Sequence, residues 1–297
     1  MKNFFVLSVD QVHGNDKLEV LDKYGSEAET TLYAICRGSD YYILKGKYFA
    51  ENGLEVSSPV LNKPCSDYWT STRVGDGITK FYSYGRLGVN EEAVWNEDNA
   101  IRIAVKFDDI KDEISAHHIE NYGKGDIKVI EYGSYPQYVL KSDEARELTK
   151  KYEDGLLKPI NDTYAAWGYS NELFYDGTER RFEKEEYPIY EYEGSYYVRA
   201  KKAVFENGFN REIWAKVEPI EWLVDEKTGI CVTKKNILGG IPISRKGMLF
   251  GDFDKSMVQR YLDNEFTLDV DIFKPKHNVE VELEQEPELI DVDTKVL

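Results

Sequence analysis

Glu131 to Gln137 reads Glu-Tyr-Gly-Ser-Tyr-Pro-Gln, and it constrains the fold more than any other stretch. Proline locks φ and removes an N–H donor, so the run predicts a strand that stops in a fixed turn. A second stretch, Val217-Glu218-Pro219-Ile220-Glu221-Trp222-Leu223-Val224, predicts a turn feeding a buried strand. The chain holds 22 Tyr against 13 Phe and 5 Trp. Tyrosine packs its ring and keeps a hydroxyl for hydrogen bonding, which suits a β-rich protein with amphipathic surfaces or a recognition face.

Gly133-Ser134-Tyr135-Pro136-Gln137 followed by Glu218-Pro219-Ile220-Glu221-Trp222-Leu223-Val224 resembles a bacterial domain family of unknown function. That family is related to the C-type-lectin-like and formylglycine-generating-enzyme fold. The resemblance implies an α+β fold: a mixed, mostly antiparallel β core with a few helices and long loops. In that family these two motifs come first, then a helix ending Trp/Tyr-Leu-Asn-x-x-Phe and a Phe-x-Leu-Ser strand, and later an aromatic Ser-Thr segment and a final strand.

Here the order differs. Phe5-Val6-Leu7-Ser8, Tyr68-Trp69-Thr70-Ser71-Thr72 and Ala100-Ile101-Arg102-Ile103-Ala104 precede the motifs they normally follow, and Tyr261-Leu262-Asp263-Asn264-Glu265-Phe266 comes late. The order implies one circularly permuted domain over residues 1–273. Its halves, 1–110 and 126–273, are joined by a polar linker, 111–125. Two separate domains are the alternative. Residues 274–297, with seven carboxylates against Lys274, Lys276 and Lys295, read as an acidic tail. Residues 161–193 read as an insertion.

Local patterns fill in the rest. Phe4 to Val9 reads as a strand followed by a polar loop, and Thr30 to Cys36 with Asp40 to Leu44 as a hairpin around Arg37-Gly38-Ser39. Ile101, Ile103, Val105 and Phe107 alternate on one strand face. Asp143 to Tyr152 reads as a helix between Ser142 and Gly155, and Phe253 to Phe266 as a helix capped by Asp254. Trp69 and Trp222 are expected in the core.

The formal net charge of −17 disfavours direct nucleic-acid binding, which needs a basic surface. It favours a basic protein partner. Cys36, Cys65 and Cys231 lack a C-x-x-C pair and read as reduced intracellular thiols. The first residues lack the apolar run of a signal peptide, and no stretch approaches the roughly 20 apolar residues of a membrane span. The expectation is a cytoplasmic protein.

Reactive constellations are sparse. Trp95-Asn96-Glu97-Asp98-Asn99 resembles half of a lectin calcium site, but the Glu-Pro-Asn half is missing. His117 and His118 with Glu113 and Glu120 can be drawn as a metal cluster, yet adjacent histidines point different ways and a solvated connector is the simpler reading. Neither a phosphate loop nor a nucleophile elbow is present. The expectation is no catalysis, no cofactor and no metal.

The remaining candidate is the acidic, aromatic run 182–197. Glu185, Glu186, Glu191 and Glu193 with Tyr190 and Tyr192 form the expected binding site for a protein with a basic surface. If the strand runs on through Glu193, Glu191 and Glu193 sit on one side about 6.6 Å apart. Such a row either imitates a phosphate track, as in an acidic inhibitor of a nucleic-acid enzyme, or is a solvated strand face.

Overall fold

The two proline-punctuated stretches lie side by side. The computed structural model describes residues 2–38, 42–43, 63–75, 77–83, 87–90, 99–169, 182–201, 212–244 and 252–273, and it is a mixed α+β arrangement of mostly antiparallel sheets with few helices. The first half contributes β1 (Phe5–Val6), α1 (Val9–His13), α2 (Glu19–Tyr24), β2 (Glu29–Thr30), α3 (Leu32–Cys36), β3 (Tyr42–Ile43) and β4 (Pro64–Cys65). It continues with β5 (Tyr68–Val74), β6 (Gly77–Phe81), β7 (Leu87–Asn90), β8 (Ile103–Lys106) and α4 (Phe107–Ile110). Then come β9 (Ala116–Asn121), β10 (Asp126–Val139), α5 (Ser142–Glu153), β11 (Lys158–Tyr169), β12 (Phe182–Tyr192) and β13 (Ser195–Lys201). β14 (Glu212–Asp225), β15 (Ile230–Thr233), β16 (Lys235–Asn236), α6 (Met257–Tyr261) and α7 (Thr267–Asp269) complete the order.

The main sheet branches at β14. β10 runs along one side of it, while β13 pairs with its first residues and β15 with its last. One branch is β15-β8-β1 and the other is β13-β12-β11, so strands from both halves of the chain share one sheet. The acidic tail, 274–297, lies outside the described residues.

Alternation along these strands explains the layering. Ile130, Tyr132, Trp222, Ile103 and Val105 point to one face, where they meet Val258, Tyr261, Leu262 and Phe266 of the C-terminal helical segment. Val129, Leu223, Ala104 and Val232 point to the other, against Leu18, Leu21 and Tyr24 near α2. A third cluster, Leu148, Leu157, Tyr190 and Trp214, seats α5 on the other branch. Trp69 and Trp222 are both fully buried.

Several local expectations change. β10 does not stop at Gly133-Ser134-Tyr135-Pro136; it passes through two register shifts and goes on to Val139, with Ser134 opposite Pro219 and Pro136 opposite Val217. The proline sits at a bulge, where its missing N–H costs no ladder bond. Gly133 has φ +68, and a Cβ there would lie 2.2 Å from Val270 Cγ2 and 2.8 Å from the Val270 carbonyl oxygen. Gly133→Ala is therefore expected to destabilise the fold by more than the roughly 1–3 kcal/mol of left-handed strain alone, because the C-terminal segment must also shift. Chemical denaturation measures this; an unchanged midpoint would contradict the contact.

Residues 32–36 are helical rather than extended. Thr31 accepts a hydrogen bond from the Ala34 N–H at 3.2 Å and caps α3, overriding the β-type composition of Leu-Tyr-Ala-Ile-Cys. The first strand ends at Val6 and not Val9, and α1, opened by a Ser8/Gln11 capping box, precedes the expected loop at Gly14, Asn15 and Asp16. Ser256 caps α6 in place of Asp254, donation coming from Gln259 N–H at 3.0 Å. The polar linker carries an edge strand, β9, in register with β10 from Ala116 opposite Glu131 to Asn121 opposite Asp126. It read as a connector because nearly all of β9 is exposed.

Candidate functional site

The β12–β13 hairpin holds the expected contact residues. Tyr192 pairs with Ser195, leaving Glu193 and Gly194 as a two-residue turn with φ of 50 and 73. Positive φ at both positions marks the type I′ turn that matches strand twist. The strand therefore ends before Glu193, and the expected in-line spacing of Glu191 and Glu193 does not form. Alternation also splits the glutamates: Glu185 and Glu191 share the face of Tyr187 and Ile189, which enter the main core, while Glu186 lies on the face of Tyr190 and Tyr192.

Each residue then has its own setting. Tyr190 is buried beneath α5, edge-on to Trp214 and Tyr152 at 5.5 Å each, so it supports the surface and does not form part of it. Glu185 is drawn inward: it accepts the Tyr187 hydroxyl and lies 3.7 Å from Arg37 Nη2. Glu186, Glu191 and Glu193 are exposed, with Tyr192, Tyr196 and Tyr197 half-buried beside them. The Tyr192 phenol, hydrogen-bonded to Glu193, is held above its ordinary range. Lys151 and Arg199 lie over the Tyr192 and Tyr152 rings at 6.0 and 4.5 Å.

Arg37 anchors a second constellation that its place in an apparent hairpin turn concealed. Its guanidinium donates to the Tyr187 hydroxyl at 2.9 Å, and it lines a small recess with Tyr33, Tyr135, Leu238, Ile241 and Tyr261. The Tyr135 and Tyr261 hydroxyls are 2.9 Å apart, and Tyr164 donates to the Ser134 carbonyl at 3.2 Å. Burial pushes Tyr33 up to about 12, against the pull of Arg37. Tyr135, Tyr164 and Tyr261 are raised well above the ordinary phenol value, again chiefly by burial. These tyrosines are neutral hydrogen-bond donors near pH 7 and hold structure without acting as bases. Burial works against the charge of Arg37, but the surrounding phenols and Glu185 outweigh it, so the guanidinium stays charged.

The histidine cluster is rearranged. Glu113 pairs with Lys2, whereas His118, Glu120 and Glu221 place ligand atoms within 4.8 Å of one another. Lys234 Nζ already lies among them, 2.7 Å from Glu120 and 3.2 Å from Glu221, so an ammonium takes the place a metal would need. Burial raises the Glu120 carboxyl, but hydrogen bonds from Lys234 and His118 prevail and leave it below its ordinary 4.5. A lowered folded value means stability present above the unfolded value and lost as pH falls through the folded one. Glu120→Gln is expected to flatten the acid limb of a stability-versus-pH curve below 4.5; an acid limb identical to wild type would contradict this network.

Burial pushes the Cys65 and Cys231 thiols up to about 12, which keeps them un-ionised and poorly nucleophilic at neutral pH. Residues 95–98 of the half calcium motif lie outside the described residues; Asn99 is buried. No helix among the described residues is long and apolar enough to cross a membrane. Comparison of the chain with protein-family models, with curated proteins and with solved structures gives no match.

Proposed function

We propose that this chain is a non-catalytic recognition protein, a circularly permuted C-type-lectin-like scaffold that binds a cytoplasmic protein carrying a basic surface. The observation that carries the reading is the β12–β13 hairpin with α5 beneath it. Glu186 is exposed on the face of half-buried Tyr192 and Tyr197, Glu191 on the opposite face beside half-buried Tyr196, and Glu193 in the turn at the hairpin's tip, while Tyr152 is 36% exposed nearby. Half-anchored tyrosines offer large contact area at low entropic cost, and the carboxylates add attraction for a basic partner. The net charge of −17 supplies long-range steering toward it.

A phosphate-mimicking inhibitor needs carboxylates in line on one face. Glu185 turns to Arg37, and Glu186 and Glu191 leave the sheet on opposite faces, so the tyrosine-centred reading is the better supported. A pull-down from lysate with wild-type protein, Tyr192→Ala and the triple variant Glu186→Gln/Glu191→Gln/Glu193→Gln tests it. Capture of a basic protein by wild type and its loss in both variants supports the proposal; equal capture by all three sinks it.

A further inference from the structure

We infer that two copies of this chain associate through β9, joining their main sheets edge to edge about a two-fold axis at Ile119. Among the described residues the main sheet has three edges. β1 is two residues long, and β11 carries Pro159 and a register shift between Pro159 and Thr163. Shortness, proline, bulges and charged side chains are the devices that block strand addition at an edge. β9 is neither short, proline-bearing nor bulged, and its one carboxylate, Glu120, is held by His118 and Lys234: its six residues pair with β10 in unbroken register, and among the described residues β10 is its only strand partner. Among the described residues its outer backbone groups are left for another strand, and Ile119, at 61% exposed, is an aliphatic side chain placed at mid-strand on that edge.

A second copy fits this edge by its own sequence. In antiparallel pairing centred on Ile119, each Ile119 meets its symmetry mate, and each His118 comes opposite Glu120 of the other copy. Residues opposed in an antiparallel pair share a face, so both contacts form in a continuous sheet. His118 and Glu120 are already 2.8 Å apart within one chain, so the pairing brings two His–Glu pairs together as an alternating group without placing like charges opposite. The same patch serves both partners, as a closed two-fold interface requires.

Sedimentation velocity across a concentration series tests this with wild type, Ile119→Lys and Ile119→Cys. Wild type is expected to approach twice the 34.4 kDa chain mass as concentration rises. Ile119→Lys, with unchanged circular dichroism, should raise the dimer dissociation constant at least about tenfold, a shift of about 1.4 kcal/mol. Cα atoms of opposed strand residues lie about 4.5–5.5 Å apart, within disulfide reach, so Ile119→Cys should cross-link on mild oxidation while wild type does not. A monomer at every concentration, a dimer unaffected by Ile119→Lys, or an Ile119→Cys variant that stays uncross-linked overturns the inference. Because this readout involves no partner protein, its failure leaves the proposed recognition function untouched.

Discussion

Trp222→Ala is expected to lower the unfolding free energy by about 3–5 kcal/mol, the range for removing a buried aromatic ring. Trp222 is 0% exposed and packs against Phe4 and Tyr132, each with ring centroids 6.1 Å away. Its indole N–H donates to the Tyr132 carbonyl at 2.9 Å, tying β14 to β10 beside the bulge at Gly133. Phenylalanine separates the ring from the hydrogen bond. Trp222→Phe keeps most of the packing but orphans a buried carbonyl, a loss of about 1–3 kcal/mol. Trp69 is equally buried, yet among the described residues its indole N–H has no acceptor. Trp69→Phe should therefore cost less than Trp222→Phe. Urea denaturation of the pair decides it, and equal losses would contradict the assigned hydrogen bond.

The second large effect is expected at Arg37, which is 7% exposed. Removing one member of a buried ion pair typically costs about 3–5 kcal/mol, because the other charge remains in a poor solvent. Arg37→Ala withdraws the cation that faces Glu185 and the donor to the Tyr187 hydroxyl. The Glu185 side chain is 22% exposed and keeps some access to water, which places the loss at the lower end of that range. Glu185→Gln in the Arg37→Ala background should restore part of it. A double-mutant cycle measures the coupling, and strictly additive losses would show that the two groups do not sense each other.

Much of the fold was legible because it rests on local rules. The alternation of Ile101, Ile103 and Val105 and the apolar run Trp222 to Val224 mark β8 and β14, although β8 ends at Lys106 and Phe107, expected on the strand, opens α4; Trp69 and Trp222 lie among β-type neighbours that mark a core. Residues 32–36 escape those rules because Leu-Tyr-Ala-Ile-Cys has strand composition; only the Thr31 cap and the burial of Tyr33 and Ala34 make it a helix. The π-helical turn at Leu262–Phe266 has no sequence signature of its own.

The candidate surface was legible in composition and not in geometry. Strand alternation alone separates adjacent Glu185 and Glu186, and Gly194 between two β-type runs marks a turn, so the broken carboxylate row could have been read from the sequence. The Arg37 network could not. Tyr33 and Arg37 are one helical turn apart, but Tyr135, Tyr187 and Tyr261 come from distant strands and α6, and only the tertiary fold brings those phenols around one guanidinium.

The central claim is that the exposed carboxylates of the β12–β13 hairpin meet a basic partner, and the salt dependence of that binding tests it most directly. Affinity for the captured partner is to be measured across ionic strength for wild type, for Glu186→Gln/Glu191→Gln/Glu193→Gln and for Glu185→Gln, with folds checked by circular dichroism. Exposed charges are screened beyond about 8 Å at physiological ionic strength, so wild-type affinity should fall steeply with added salt. The triple variant should bind more weakly and with a shallower slope, chiefly through slower association, whereas Glu185→Gln, whose carboxylate already faces Arg37, should bind like wild type. A triple variant with wild-type affinity and wild-type slope would contradict the account.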